Sequence, residues 1–240
     1  KPSHLYVSLK KKAAEEAGMC MELAVRASET SQTELIRIIQ DWNQREDIDA
    51  ILVQLPLPKT IDENAVINAI DPKKDVDGFH PINTQLLADG EASIISPVHE
   101  GVLRLISQTS LSLTGKTALV IANSTIFADP LAHLLKTAGL FVHVMKPDEL
   151  EAQTLRRADV VVIAIGRANF LHAGITKKDE VVIIDVGTNQ DKDGKIVGDV
   201  DIATYEPYDA WVTPVPGGVG PMTIALLLLN VVRMAERQEK

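Results

Sequence analysis

Four runs of apolar and β-branched residues, at positions 117–121, 141–145, 160–165 and 181–186, are each separated by an interval long enough for a crossover helix. Runs this uniformly apolar read as strands buried on both faces, and such strands pair in parallel, because helices must cover both sides of the sheet. Parallel neighbours need right-handed crossovers. The second half of the chain therefore reads as a doubly wound, dinucleotide-type α/β fold, beginning after the turn Leu113-Thr114-Gly115-Lys116.

The first half alternates more loosely. Leu5, Leu9, Ala13 and Ala17 recur four apart after Ser3 and before Gly18, which predicts an amphipathic helix with that stripe inward. A short strand is expected at 21–25 and a helix from Ser31 through Trp42. A buried strand follows at 50–54, ending in Leu55-Pro56-Leu57-Pro58. A helix is expected from Asp62 to Ile70, then a polar loop over 71–78, with the first domain ending near Ile95 and a linking helix at 98–107. At the other end, a strand at 210–213 leads into a proline- and glycine-rich loop and a helix from Met222 to Ala235.

Charge and cysteine content narrow the partners. A net charge of -9 leaves no basic field for a phosphate backbone, so nucleic acid is not expected. The single cysteine, Cys20, admits neither an intramolecular disulfide nor a CxxC site, which fits a reducing cytoplasm. The longest apolar run, 224–232 broken by Asn230, is shorter than the ~18 residues a bilayer demands, so no membrane span is expected. The opening Lys1-Pro2-Ser3, without an initiator Met or signal peptide, leads us to expect an upstream segment.

In an open α/β sheet, ligands collect beyond the carboxyl ends of the strands, so the segments after each strand carry the chemical information. Gln54-Leu55-Pro56-Leu57-Pro58 presents a side-chain amide at a stiffened strand exit; taken alone, the segment reads more simply as a plain terminator. Asp75 and Asp77, in Lys73-Lys74-Asp75-Val76-Asp77-Gly78-Phe79-His80, can accept from the amide-like edge of a heterocycle, or simply solvate a loop. Tyr6 and Lys10, four apart on a helix, place a phenol and an ammonium on one face, which is also an ordinary surface pattern. Pro214-Val215-Pro216-Gly217-Gly218-Val219-Gly220-Pro221-Met222-Thr223 has three prolines and three glycines in ten positions, and lets a ligand approach bare backbone.

The turn after the strand at 117–121 reads Ala122-Asn123-Ser124-Thr125-Ile126-Phe127-Ala128-Asp129-Pro130, without the glycine a pyrophosphate turn favours. Asp191-Lys192-Asp193-Gly194 echoes a calcium loop but lacks the remaining ligands, so a hairpin turn is expected there. The six histidines show no HExxH spacing and no metal site is expected.

Taken in order along the whole chain, these segments resemble the bifunctional methylenetetrahydrofolate dehydrogenase/methenyltetrahydrofolate cyclohydrolase family. Pro2-Ser3 with Tyr6-Val7 and Lys10 is similar to its first motif, Gln54 to Pro58 to its second, Asp71-Pro72-Lys74-Asp75-Val76-Asp77-Gly78 to its third, and Pro214 to Thr223 to its signature. The resemblance implies an N-terminal substrate (folate) domain over 1–95, a Rossmann-like NAD(P)-binding domain over 96–215, and a C-terminal loop and helix, 216–240, returning to the first domain. It implies interconversion of 5,10-methylene-, 5,10-methenyl- and 10-formyl-tetrahydrofolate with NADP or NAD, in the one-carbon supply to purine biosynthesis. Lys10 would assist water attack, Gln54 would hold it, Asp77 would grip the pterin, and Tyr6 would stack on it. Gly217 and Gly218 would line the folate pocket, and Ser124, Ile126, Gly166 and Thr188 would bind the cofactor. A homodimer paired through the second domain, and a helix and strand preceding Lys1, are implied too.

The departures fall on the cofactor side. The family's Gly-Arg-Ser turn is Ala122-Asn123-Ser124, its later Gly-Lys is Ala128-Asp129, and its Pro-Cys-Thr-Pro-x-Gly is Ser96-Pro97-Val98-His99-Glu100-Gly101. Losing the arginine removes a bidentate partner for a 2′-phosphate, and Asp129 adds a negative charge. Alternatives are therefore a cyclohydrolase without dehydrogenase activity and a non-catalytic folate-binding homologue. An unrelated two-domain dehydrogenase of the shikimate type explains neither the Gln54 nor the Gly217 segment.

Overall fold

The structure, a computed structural model, describes residues 2–176 and 179–238, with side chains from Val7 onward. Residues 3–97 with the stretch from 224 form one compact unit, and residues 98–223 form the other.

In the first unit, α1 (Pro2–Glu16) starts one residue before the expected Ser3 cap and ends ahead of Gly18, whose φ of +76° terminates it. Its buried face differs from the expected one. Lys10 and Ala14 are buried, whereas Leu9 is 43% exposed. Amphipathic periodicity selects the aliphatic stripe, but the helix turns an ammonium inward because a side-chain acceptor waits there. α2 (Gln32–Asn43) is capped by Ser31, which accepts from the Glu34 amide at 3.2 Å. At its far end the buried Lys74 ammonium donates to the carbonyls of Asn43 and Arg45 at 3.0 and 2.6 Å, satisfying groups the helix leaves open. α3 (Glu63–Ile67) is capped by Asp62 and is shorter than expected. α4 (Pro81–Ala88) was not anticipated in the sequence; His80 caps it through Nδ1, with proline at the first helical position.

The two strands expected in this unit do not form ladders. The segment at 21–25 pairs with no strand among the described residues, and the run at 50–54 reduces to one parallel bridge between Ile51 and Asp75. The apolar character of the second run is still used. Ile51 packs with Ile39, Ile61, Val66 and Ile70, which join α2 and α3 to that segment.

The second unit opens with α5 (Pro97–Ser107), whose residues from 98 belong to it, then β1 (Thr117–Ala122), α6 (Thr125–Thr137), β2 (Phe141–Met145), α7 (Ala152–Arg157), β3 (Val160–Ala164), the short α8 (Ala173–Thr176) and β4 (Val182–Asp185). A small antiparallel hairpin, β5 (Asn189–Gln190) with β6 (Ile196–Val197), encloses the Asp191-Lys192-Asp193-Gly194 turn, and β7 (Trp211–Val212) completes the sheet. The sheet order β2-β1-β3-β4-β7 is parallel throughout.

Strand alternation splits the core into two layers. Ala118, Val120, Val160, Val162, Val182 and Ile184 face one side with Leu131 and Leu135 of α6; Leu119, Ile121, Val161, Ile163 and Ile183 face the other with Leu155 of α7. Because β2 and β3 flank β1 on opposite sides, the chain reverses direction across the sheet at β1, and the crevice beyond its carboxyl end is the switch point where such folds take ligands.

The last helix, α9 (Val219–Gln238), begins three residues earlier than expected, with Gly220 and Pro221 in its first turn. By length and composition alone it is apolar enough to cross a membrane, unlike the interrupted run read from sequence. Within the first unit its Leu227 and Met234 pack with Val76 and Ile94. Asn230, fully buried, donates to the carbonyls of Val76 and Ile95 at 3.3 and 2.9 Å.

Candidate active site

In the first unit, Lys10 and Gln54 meet although 44 positions separate them: Nζ donates to Oε1 at 3.1 Å. Gln54 is itself oriented, its Nε2 donating to the Leu55 carbonyl at 2.9 Å. The exit that follows carries a cis Leu55-Pro56 bond, and the Leu57 amide donates to Glu63 Oε1 at 2.8 Å, tying the exit to α3.

Two neighbouring acids play different parts. Asp75 is buried and accepts from the Gly78 and His80 amides at 3.2 and 2.8 Å and from Asn83 Nδ2 at 2.9 Å, so its carboxylate shapes the turn. Gly78 holds φ +69° there, and a Cβ would press on the Ser96 amide at 3.3 Å. Asp77, by contrast, makes no side-chain hydrogen bond among the described residues. It lines a shallow crevice with Ile51, Val53, Leu55, Ile67, Ile70, Asp75 and Phe79.

Burial and charge adjust both Lys10 and Asp77. Burial lowers the Lys10 pKa, against the opposing pull of the Asp77 charge. Burial pushes Asp77 up to about 6, with Lys10 drawing it down and Asp75 pushing it further up. The result is an amine nearer to neutrality than a surface lysine and a carboxyl group that titrates close to the physiological range, in one apolar setting. Tyr6, the remaining residue of the first motif, has its side chain outside the described residues.

In the second unit the residues of interest occupy the carboxyl edge of the sheet. Ser124 is the N-cap of α6, yet its side chain makes no capping bond, so the hydroxyl is not spent on the helix and the first-turn amides have no side-chain cap. Ile126 is half-buried in that turn. Asn123, standing where the family's arginine would be, donates from Nδ2 to the Ile165 carbonyl at 2.8 Å and thereby ties the β1 and β3 exits together. Asp129 is exposed in the second turn of α6, beyond the Ala122-to-Ser124 turn itself. Gly166, with φ +68°, follows β3, and Thr188 follows β4. A free seryl hydroxyl, an uncapped helix start and a left-handed glycine fit a dinucleotide.

Gly217 and Gly218 stand ahead of α9, also in the second unit. Gly217 is exposed with φ +111°, while any Cβ on Gly218 would meet the Pro214 carbonyl oxygen at 2.5 Å, so neither position tolerates a side chain. Sequence reading passed over His99. It is fully buried, its ring 5.0 Å from that of Phe127 in α6, and burial pushes its pKa down to about 3, which keeps it neutral.

Residues 96–239 match the Tetrahydrofolate dehydrogenase/cyclohydrolase, NAD(P)-binding domain, and residues 1–77 match the Tetrahydrofolate dehydrogenase/cyclohydrolase, catalytic domain. The chain is similar to the Bifunctional protein FolD of Magnetococcus marinus, 46% identical over 98% of this chain and 82% of that protein. Among solved structures it is similar to the bifunctional FolD enzyme of Campylobacter jejuni, with TM-score 0.88 and 39% identity over 98% of this chain and 84% of that one. It is also similar to the Trypanosoma brucei N5,N10-methylenetetrahydrofolate dehydrogenase-cyclohydrolase, complexed with NADP cofactor and inhibitor, with TM-score 0.90 and 32% identity over 100% of this chain and 84% of that one. Two matched domains in sequence order, with relatives of this identity along nearly its whole length, show that the chain belongs to the tetrahydrofolate dehydrogenase/cyclohydrolase family.

Proposed function

We propose that this chain is an NAD(P)-dependent 5,10-methylenetetrahydrofolate dehydrogenase and 5,10-methenyltetrahydrofolate cyclohydrolase. The observation that carries the reading is the buried Lys10 ammonium held on Gln54 and coupled to the Asp77 charge. Ser124, Ile126, Gly166 and Thr188, at the exits of β1, β3 and β4, would hold a nicotinamide cofactor, which would supply the hydride acceptor for the methylene carbon between N5 and N10 of the folate.

Hydride loss leaves the carbon as an electrophilic amidinium, and water adds to it. The neutral Lys10 amine takes the proton of the attacking water, and Gln54 Oε1 fixes the direction of Nζ. One C–N bond then breaks, N5 leaves with a proton, and the product is 10-formyltetrahydrofolate. Asp77, which lines the apolar crevice of the first unit, binds the amide-like edge of the pterin; Tyr6 is the stacking residue that the family's first motif supplies, and Gly217 and Gly218 of the second unit offer bare backbone to a ligand. The protein works in the cytoplasm as a homodimer. The exposed edge strand β2, with Phe141 66% and Val144 44% exposed, supports pairing through the second unit.

A second reading, hydrolysis without oxidation, is favoured by Ala122 and Asn123 in place of the family's glycine and arginine. The deciding experiment follows methenyltetrahydrofolate loss without nucleotide and methylenetetrahydrofolate oxidation with NAD or NADP. Both activities support the bifunctional reading, hydrolysis alone the second, and neither contradicts both.

A further inference from the structure

Asp-Val-Asp occurs twice in the sequence, at 75–77 and 199–201, and the second copy begins with Asp199, which bonds the residues just after β3 at the carboxyl edge of the sheet. Asp199 is fully buried. Its carboxylate accepts from the Ile165, Gly166 and Arg167 amides at 2.7, 3.2 and 2.7 Å and from Asn189 Nδ2 at 2.9 Å. Behind it, Asp185 at the end of β4 accepts from the Gly187, Asp199 and Val200 amides at 2.9, 3.1 and 2.8 Å. Two close approaches require glycine: a Cβ on Gly187 would run into the Asp199 carboxylate, and one on Gly198 into Asp185 Oδ2.

What this pair holds is specific. β3 is already stitched into the sheet by β1 on one side and β4 on the other, so the strand has no need of a carboxylate. Asp199 instead binds the residues just past the ladder, where Gly166 takes φ +68°, and through Asn189 it reaches the residue after Thr188. A carboxylate accepts at both oxygens and donates nothing, which a cluster of converging amides demands.

We infer that Asp199, seated on Asp185, is a positioning residue for the dehydrogenase step, setting the β3 and β4 exit loops in the conformation that takes the dinucleotide. This rests on the dehydrogenase reading above. Asp185 backs it; its own pKa is pushed up to about 6 by burial, with the Asp199 charge contributing. Asp199→Asn replaces an acceptor by a donor opposite several amides.

The test uses the full chain and reads NADPH binding by fluorescence titration, cofactor KM and kcat, nucleotide-free methenyl hydrolysis, and thermal melting. Losing charge-assisted bonds at one carboxylate predicts NADPH Kd and cofactor KM raised roughly 10- to 100-fold, with hydrolysis within about twofold of wild type. Unchanged NADPH binding, or hydrolysis falling in step with binding, overturns the inference. Should Asp199→Asn fail to fold, Asn189→Ala decides: weaker NADPH binding with intact hydrolysis supports the inference, and unaltered binding overturns it. A wild-type chain that binds neither NADPH nor NADH contradicts the dehydrogenase reading itself, and is distinguished from a variant that binds as well as a competent wild type; where the wild type binds NADH alone, the same titrations are read with NADH.

Discussion

Lys10 Nζ lies 3.1 Å from Gln54 Oε1, and this one bond joins the buried face of α1 to the segment leaving the Ile51 bridge. It points a single amine, already displaced toward neutrality by burial, into the setting of Asp77.

The pH profile of hydrolysis follows from that displacement. Only the neutral amine accepts a proton, so the nucleotide-free rate rises with pH through the lowered Lys10 pKa and levels off above it. The Asp77 charge raises that pKa, so Asp77→Asn moves the rise to lower pH. Stopped-flow rates across the pH range in which the protein stays folded check both, and a rate that falls with rising pH, or an Asp77→Asn profile shifted to higher pH, contradicts the role of the amine.

Asp77 also makes stability depend on pH. Its folded pKa of about 6 lies above the 3.8 usual for an aspartate, so its contribution is fully present below the unfolded pKa and is lost as pH rises through about 6. Asp77→Asn is therefore expected to be more stable than wild type at pH 7 to 8, by roughly 1–3 kcal/mol, with the difference vanishing below about pH 4. Urea denaturation at the two pH values measures it.

Asn230 anchors the far part of α9 through two backbone carbonyls. Asn230→Leu leaves both acceptors buried without that donor, and a loss of roughly 1–3 kcal/mol is expected in equilibrium unfolding. A neutral substitution would show that the apolar contacts of Leu227 and Met234 alone dock the helix.

Ser124 carries the fourth prediction. Because its hydroxyl makes no cap bond, Ser124→Ala removes a ligand contact without uncapping α6. Loss of one hydrogen bond predicts NADPH binding weaker by about 3- to 10-fold, with melting temperature and nucleotide-free hydrolysis unchanged.

The parallel sheet was legible because strands buried on both faces must be apolar throughout, as Val160, Val161, Val162 and Ile163 are. The first unit was less legible, since its apolar run around Ile51 packs without extended pairing and looks the same in sequence. α1 misled because Leu9 and Lys10 exchange the places that polarity assigns them. α4 did leave a signal, a proline after a capping histidine, which the polar loop ahead of it obscured. Of the candidate site, no local pattern joins Lys10 to Gln54; the family resemblance alone suggested the pairing. Asp199 was missed because its partners are backbone amides more than thirty residues away, which no side-chain pattern records.

The most direct measurement compares wild type with Lys10→Ala in two assays on the same preparation: methenyltetrahydrofolate loss without nucleotide, and methylenetetrahydrofolate oxidation with NADP. The expected result is hydrolysis reduced by roughly 10²- to 10⁴-fold in the variant, the span of a lost general base, with oxidation retained to a much larger degree. Hydrolysis persisting at the wild-type rate in Lys10→Ala would contradict the assignment of the amine as proton acceptor.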